Sequence, residues 1–298
     1  MFFVAKIFFT LSVFTTVFCE AYTPIVMWHG LADTCCLYPS QGKIASFIRK
    51  TLPGVYVLQL KIGITQLDDF VNSIVMHPDK QIEIACNIIQ KDPLLANGYN
   101  AIGWSQGSQL MRGLAQRCPE PKMKTLITMS GQHQGVYGFP LCDPITKPFC
   151  DWLRQFINQF AYLRIVQKTF VPTTYWHNPL NKEAYLSGST YLADINNEKY
   201  INQTYIKNLQ LLENFVMVKY ENDTGVIPKE SSWFGFYKEG QSIQVESLYE
   251  SELYITDRLG LKQMNEAGKL HLLSNDWQHT QFYEDWFKEY IIDKFLTN

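Results

Sequence analysis

The chain has 298 residues, 46% of them hydrophobic and 18% charged, with 26 Lys and Arg against 28 Asp and Glu. That length suits one large domain with a sizeable core, and 14% aromatic residues at a net charge of −2 exclude a disordered chain. The near-neutral balance leaves no electrostatic footprint for nucleic acid.

Met1 to Cys19 reads MFFVAKIFFTLSVFTTVFC, with a lone Lys6, an apolar run from Ile7 to Phe18, and Glu20 beyond it. A short basic start, a brief hydrophobic centre and small residues near the cut make residues 1–19 a secretory signal. A membrane anchor is the alternative, but the run is shorter than the ~20 residues a bilayer span needs. Nothing else in the sequence is long and apolar enough to span, so the mature chain is expected to carry no transmembrane segment. Cleavage removes Cys19, one of seven cysteines, and leaves an even set for an oxidising compartment. Two glycosylation sequons, at Asn202 and Asn222, agree with passage through the secretory pathway.

Thr23 to Trp28 reads as a buried strand running into a loop at His29-Gly30, and Val55 to Lys61 as a second strand after the Pro53-Gly54 turn. Leu67 to Gln90 carries apolar residues at helical spacing and is expected to form two helices broken near Pro78. A strand over Tyr99–Trp104, a helix over Ser108–Arg117 and a strand over Lys124–Met129 follow. About 138–212 breaks this rhythm with prolines among aromatic helical pieces such as WLRQFINQFAYL, and reads as an insertion over the sheet. Strands then return at Asn214–Tyr220 and Lys269–Ser274, and Trp286–Leu296 closes the chain as an amphipathic helix. Alternating strands and helices predict one α/β domain over 20–298, its sheet mostly parallel with helices on both faces.

Gly103-Trp104-Ser105-Gln106-Gly107 fits G-x-S-x-G, with a strand entering it and a helix leaving it, the context the α/β-hydrolase nucleophile elbow requires. Ser105 is therefore the candidate nucleophile. In this fold the chain order is serine, acid, histidine, which favours His279, after the last strand, as the base. Asp223, in the loop after Asn214–Tyr220, is preferred as the acid over Glu221 and Asp257. The oxyanion donors are expected to be the backbone N–H of Gln106 and, from the loop after the first strand, that of Leu31. The reaction class is acyl transfer through a serine ester.

Beyond the elbow, WHGLADTCC, GWSQGSQLMRGLAQRCP, GQHQGVYGFP, YWHNP, NFVMVKYENDT, WFGFY and EDWF make the sequence resemble the type 1 palmitoyl-protein thioesterases over nearly the whole mature chain. The resemblance implies removal of thioester-linked fatty acyl groups, chiefly palmitate, from cysteines of S-acylated proteins or peptides. It implies a lysosomal or secreted enzyme, no cofactor, no metal, and an insertion that forms a hydrophobic acyl groove. It supports Ser105, Asp223 and His279 as the triad and implies three disulfides, Cys35–Cys36, Cys86–Cys118 and Cys142–Cys150. Sequence alone does not choose among the roughly fifteen connectivities of six cysteines. The chain departs from the family where Trp104 replaces a usual Phe and Gln278 a usual Asp, and where Leu186 to Ser189 lacks a family sequon. An oxygen-ester lipase of the same fold, or a lipid-binding relative without catalysis, remains as an alternative from the triad chemistry.

Overall fold

The computed structural model describes residues 22–138 and 147–297, so the expected signal segment and Cys142 lie outside the described residues. Six strands make one sheet in the order β2 (Val57–Gln59), β1 (Ile25–Trp28), β3 (Tyr99–Trp104), β4 (Met123–Met129), β5 (Asn214–Tyr220) and β8 (Leu270–Asn275). Every neighbouring pair is parallel. β6 (Phe236–Tyr237) and β7 (Val245–Glu246) form a separate antiparallel ribbon. The central strands are buried almost throughout, which is why they read as unbroken apolar runs.

Side chains alternate between two cores, one on each face of the sheet. Val26, Trp28, Phe215 and Met217 join the core under α3 (Pro78–Lys91) and α4 (Gln106–Arg117). Ile25, Met27, Val216 and Val218 join the other, under α1 (Gln41–Thr51) and the C-terminal turns. The helical stretch around Pro78 divides as expected into α2 (Gln66–Val75) and α3. Thr65 and Asp68 form a reciprocal capping box on α2, and Pro78 occupies the first turn of α3, where its missing N–H costs nothing.

Two elements depart from the expected pattern. The structure adds α1, whose inward Ile44, Ala45 and Ile48 keep helical spacing over a stripe too short to announce itself beside Pro39 and two cysteines. The closing helix is not continuous: α13 (Glu284–Phe287) passes through a π-turn at Lys288–Ile292 into α14 (Asp293–Phe295). The wide turn resets the phase so that Phe287, Ile291, Ile292 and Leu296 are all buried. α11 (Glu252–Ile255) and α12 (Leu261–Glu266) precede β8.

Between β4 and β5 run α5 (Lys147–Phe160), α6 (Arg164–Thr169), α7 (Val171–Thr174), α8 (Lys182–Gly188), α9 (Leu192–Ile195) and α10 (Gln203–Leu209). Arg112 of α4, wholly buried, ties this layer to the sheet by donating to the Ile195 carbonyl at 3.0 Å and to Asn196 Oδ1 at 2.7 Å. Its guanidinium also lies 5.0 Å from the Phe234 ring centroid, and burial lowers its pKa to about 10, leaving it a cation at neutral pH.

Cys86 and Cys118 form a disulfide with an S–S length of 2.02 Å that joins α3 to the end of α4. Cys150 is disulfide-bonded, and Cys142, its expected partner, is not among the described residues. Cys35 and Cys36, the expected adjacent pair, are not bonded in this structure, but their Sγ atoms lie only 2.7 Å apart, closer than two unbonded sulfurs pack. Burial and the neighbouring Cys36 push the Cys35 thiol up to about 12, so it stays protonated. Among the described residues no helix is long and apolar enough to cross a membrane.

Candidate active site

The site lies at the carboxyl edge of the sheet, where loops after β1, β3, β5 and β8 converge. β3 ends at Trp104 and α4 begins at Gln106, leaving Ser105 alone to turn the chain. Its φ of 50° and ψ of −121° are costly for a residue with a side chain, by about 1–3 kcal/mol. The turn is held by the Ser105 N–H donating to the Met129 carbonyl at 2.9 Å. A Cβ on Gly107 would collide with the carbonyl oxygens of Trp28 and His29, so the elbow needs glycine there to lie against the end of β1.

Ser105 Oγ lies 3.0 Å from His279 Nε2, and His279 Nδ1 lies 3.0 Å from both oxygens of Asp223. Asp223 follows β5 and His279 follows β8, at neighbouring strand ends. A Cβ on Gly225 would sit 2.5 Å from His279 Cγ, so the imidazole rests directly on the acid's own loop. The Asp223 carboxylate is fully buried, and it accepts the N–H groups of Gly225 at 2.7 Å and Val226 at 3.0 Å. Burial alone would raise its pKa, but His279, the Ser130 hydroxyl and the Val226 N–H outweigh that and hold it below the usual carboxylate range. Such a chain can take a proton from the serine hydroxyl and balance the positive imidazole with a fixed anion.

The rival acids are engaged elsewhere. Glu221 pairs with Lys219 and Lys229, each at 3.0 Å, and Asp257 accepts the Lys262 N–H at 2.8 Å ahead of α12. The other histidines also have separate partners: His77 meets Thr190 Oγ1 at 2.8 Å, His271 meets Asn214 Oδ1 at 3.0 Å, and His177 meets the Gln134 carbonyl at 2.8 Å. His133 lies in the Arg112 cluster. Gln278 is exposed and its N–H donates to Gln281 Oε1 at 2.8 Å, so this departure leaves the imidazole's contacts untouched.

Sequence reasoning misses two supports of the site. Ser130, at φ 48° just past β4, donates its hydroxyl to Asp223 Oδ2 and lies 3.2 Å from His279 Nδ1. Asp69, fully buried on α2, organises the loop after β1. Its Oδ2 accepts the Thr34 hydroxyl at 2.9 Å and the Cys35 N–H at 2.8 Å and pairs with His29 Nε2 at 3.1 Å, while Oδ1 accepts the Ile62 N–H at 2.7 Å. Gly30, inside that loop, approaches Ser105 so closely that a Cβ there would lie 3.3 Å from the serine Cβ. Leu31 lines the cavity above the serine, and Gln106 opens α4, where the first N–H groups have no acceptor within the helix. A serine just past a strand or an aspartate on a short helix gives no period to read; only the folded chain assigns it a partner.

The cavity has a volume of about 880 Å³, within the usual range for one small ligand. Ser105 and His279 stand in its wall with Trp104, Val136, Ile157 and Phe170. Ile157 and Phe170 come from the layer between β4 and β5, and Trp104 stacks on Phe287 at 6.1 Å between centroids. The bulk of Trp104 is thus fixed beside Ser105. Asn202 and Asn222 are both exposed, Asn202 capping α10 and Asn222 donating to the Asp276 carbonyl at 2.7 Å.

The parallel sheet, the turn at Ser105 and the strand-end placement of His279 and Asp223 are those of an α/β-hydrolase. The family signature described as palmitoyl protein thioesterase matches residues 24–279. Palmitoyl-protein thioesterase 1 of Caenorhabditis elegans is 44% identical over 275 residues, covering 92% of this chain and 91% of its own. Palmitoyl-protein thioesterase 3 of Dictyostelium discoideum is 34% identical, covering 91% and 90%. A relative named as a homologue of the lysosomal thioesterase PPT2, from Drosophila melanogaster, is 30% identical, covering 87% and 86%. The chain belongs to the palmitoyl protein thioesterase family and is a thioester hydrolase.

Proposed function

We propose that the protein removes long-chain fatty acyl groups, palmitate foremost, from the cysteines of S-acylated proteins or peptides by acyl transfer through Ser105. The observation that carries this is the line from Ser105 Oγ through His279 to Asp223, opening onto a largely apolar cavity. Ser105 Oγ attacks the thioester carbonyl as His279 Nε2 takes its proton, and Asp223 stabilises the imidazolium. The N–H groups of Leu31 and Gln106 stabilise the tetrahedral oxyanion. The C–S bond then breaks, and the sulfur leaves as a thiol with the proton His279 carries. Water attacks the acyl-serine with His279 again as base, releasing the fatty acid and restoring Ser105.

Arrival through the secretory pathway, with glycans at Asn202 and Asn222 and residence in the lysosome, is part of the same reading. It is supported by the exposure of both asparagines and by the lysosomal name of the Drosophila relative. Hydrolysis of palmitoyl-CoA and of a matched oxygen ester separates this enzyme from a lipase. The thioester is expected to be favoured by about tenfold or more in kcat/KM, a gap of about 1.4 kcal/mol in barrier. A preference for the oxygen ester would contradict the proposal.

A further inference from the structure

The apolar surface around the cavity mouth is larger than a chain facing water alone requires. α5 has an inward stripe, Cys150, Leu153 and Ile157, as any surface helix should. The face beside it is apolar too. Phe149, Trp152, Phe156 and Phe160 run along it as a stack, with centroids 5.9, 5.8 and 4.7 Å apart in succession. Trp152 is 57% exposed and Phe156 49%. An apolar arc that extends past the buried stripe, with Asp151, Gln155 and Gln159 on the far side, suits a helix lying at a boundary between lipid and water.

α5 itself reaches the acyl cavity, whose wall includes Ile157. Phe170, between α6 and α7, is exposed and also lines that cavity. α7 packs against α2, whose Leu67 is likewise exposed. Charge limits what can cover this surface. Among the described side chains from 148 to 170 the charged groups are Arg154, Arg164, Lys168 and Asp151, three cations against one anion. Arg154 already pairs with Asp151 at 3.1 Å, which leaves Arg164 and Lys168 to set the sign on α6. An aromatic ridge flanked by cations is the make-up of a helix lying in the headgroup region of an anionic membrane.

We propose that α5 and the adjoining face at Phe170 dock this protein on an anionic lipid bilayer, with the cavity mouth turned to the membrane. The acyl chain of a membrane-held substrate would then pass from lipid to Ser105 without crossing water. This rests on the acyl-thioester reading above for its substrate, but not for its test.

The full chain carrying Ser105→Ala is mixed with sedimentable vesicles of phosphatidylcholine, with and without phosphatidylserine. The protein is expected to bind the anionic vesicles, and Trp152→Gln with Phe156→Gln in the same background to weaken that binding by about tenfold or more. The double substitution in the active enzyme should leave hydrolysis of a soluble short-chain thioester unchanged and lower that of a vesicle-embedded one. Equal vesicle binding by both proteins, or none by either, would overturn the proposal. So would a lipid-free dimer that the double substitution dissociates, because the ridge would then serve a second copy. If wild type binds vesicles yet leaves the soluble thioester intact, the acyl-thioester reading fails while the docking surface stands.

Discussion

Ser105→Ala is expected to lower kcat by about a millionfold, the scale seen when the nucleophile of a serine triad is removed. The substitution takes away the atom 3.0 Å from His279 Nε2 and nothing else that the fold depends on. Folding should hold, since alanine keeps the Cβ that already tolerates the positive φ of 50° and loses only the hydroxyl oxygen. Thermal unfolding alongside single-turnover kinetics checks both halves. Loss of activity accompanied by loss of the folded state would leave the nucleophile unassigned, and retained activity would remove Ser105 from the reaction.

The second large effect is expected at Asp69, far in sequence from the triad. Asp69→Asn replaces one carboxylate oxygen with a donor group in a pocket of donors: the Thr34 hydroxyl, the Cys35 and Ile62 N–H groups, and His29 Nε2. Breaking one side of such a buried pair costs about 3–5 kcal/mol of stability. The loop from His29 to Cys35 should shift with it, moving the proposed donor at Leu31, and loss of one oxyanion donor lowers kcat by about 10²–10³. KM should change far less, because the cavity walls at Ile157 and Phe170 belong to other elements.

The pH dependence follows from the same pair. Burial opposes the charge on His29, but the hydrogen bond and charge of Asp69 overcome it and raise the histidine pKa. Burial likewise opposes the charge on Asp69, yet His29 and the Cys35 and Ile62 N–H groups hold its pKa down. A raised histidine contributes stability in full below its unfolded value of about 6.5, and loses it as pH rises through the folded value. A lowered carboxyl contributes above about 3.9 and loses it as pH falls through the folded value. The stability gap between wild type and Asp69→Asn should therefore be widest between about pH 4 and 6.5. Denaturant unfolding across pH measures it; a gap that stays constant would mean the two groups are not ionised together.

Where the chain's chemistry is local, it is open to sequence reading. β3, the turn at Ser105 and α4 are contiguous, and a buried parallel strand is an unbroken apolar run, so the elbow declares itself. Asp223 and His279 are found through chain order and strand ends. Asp69 and Ser130 are not, because each matters only through partners the sequence leaves distant: His29 lies forty positions before Asp69, and Asp223 far beyond Ser130. The wide apolar arc of α5 is present in WLRQFINQF, but which part of it stays uncovered is decided by packing.

The central claim, that acyl transfer passes through Ser105, is tested most directly by trapping the intermediate. The enzyme is mixed with a palmitoyl thioester, quenched in acid during turnover, digested and weighed by mass spectrometry. The account predicts one palmitoyl group on the peptide that contains Ser105, absent when the enzyme carries Ser105→Ala. A palmitoyl group on any other residue, or turnover with no acylated peptide at all, would contradict it.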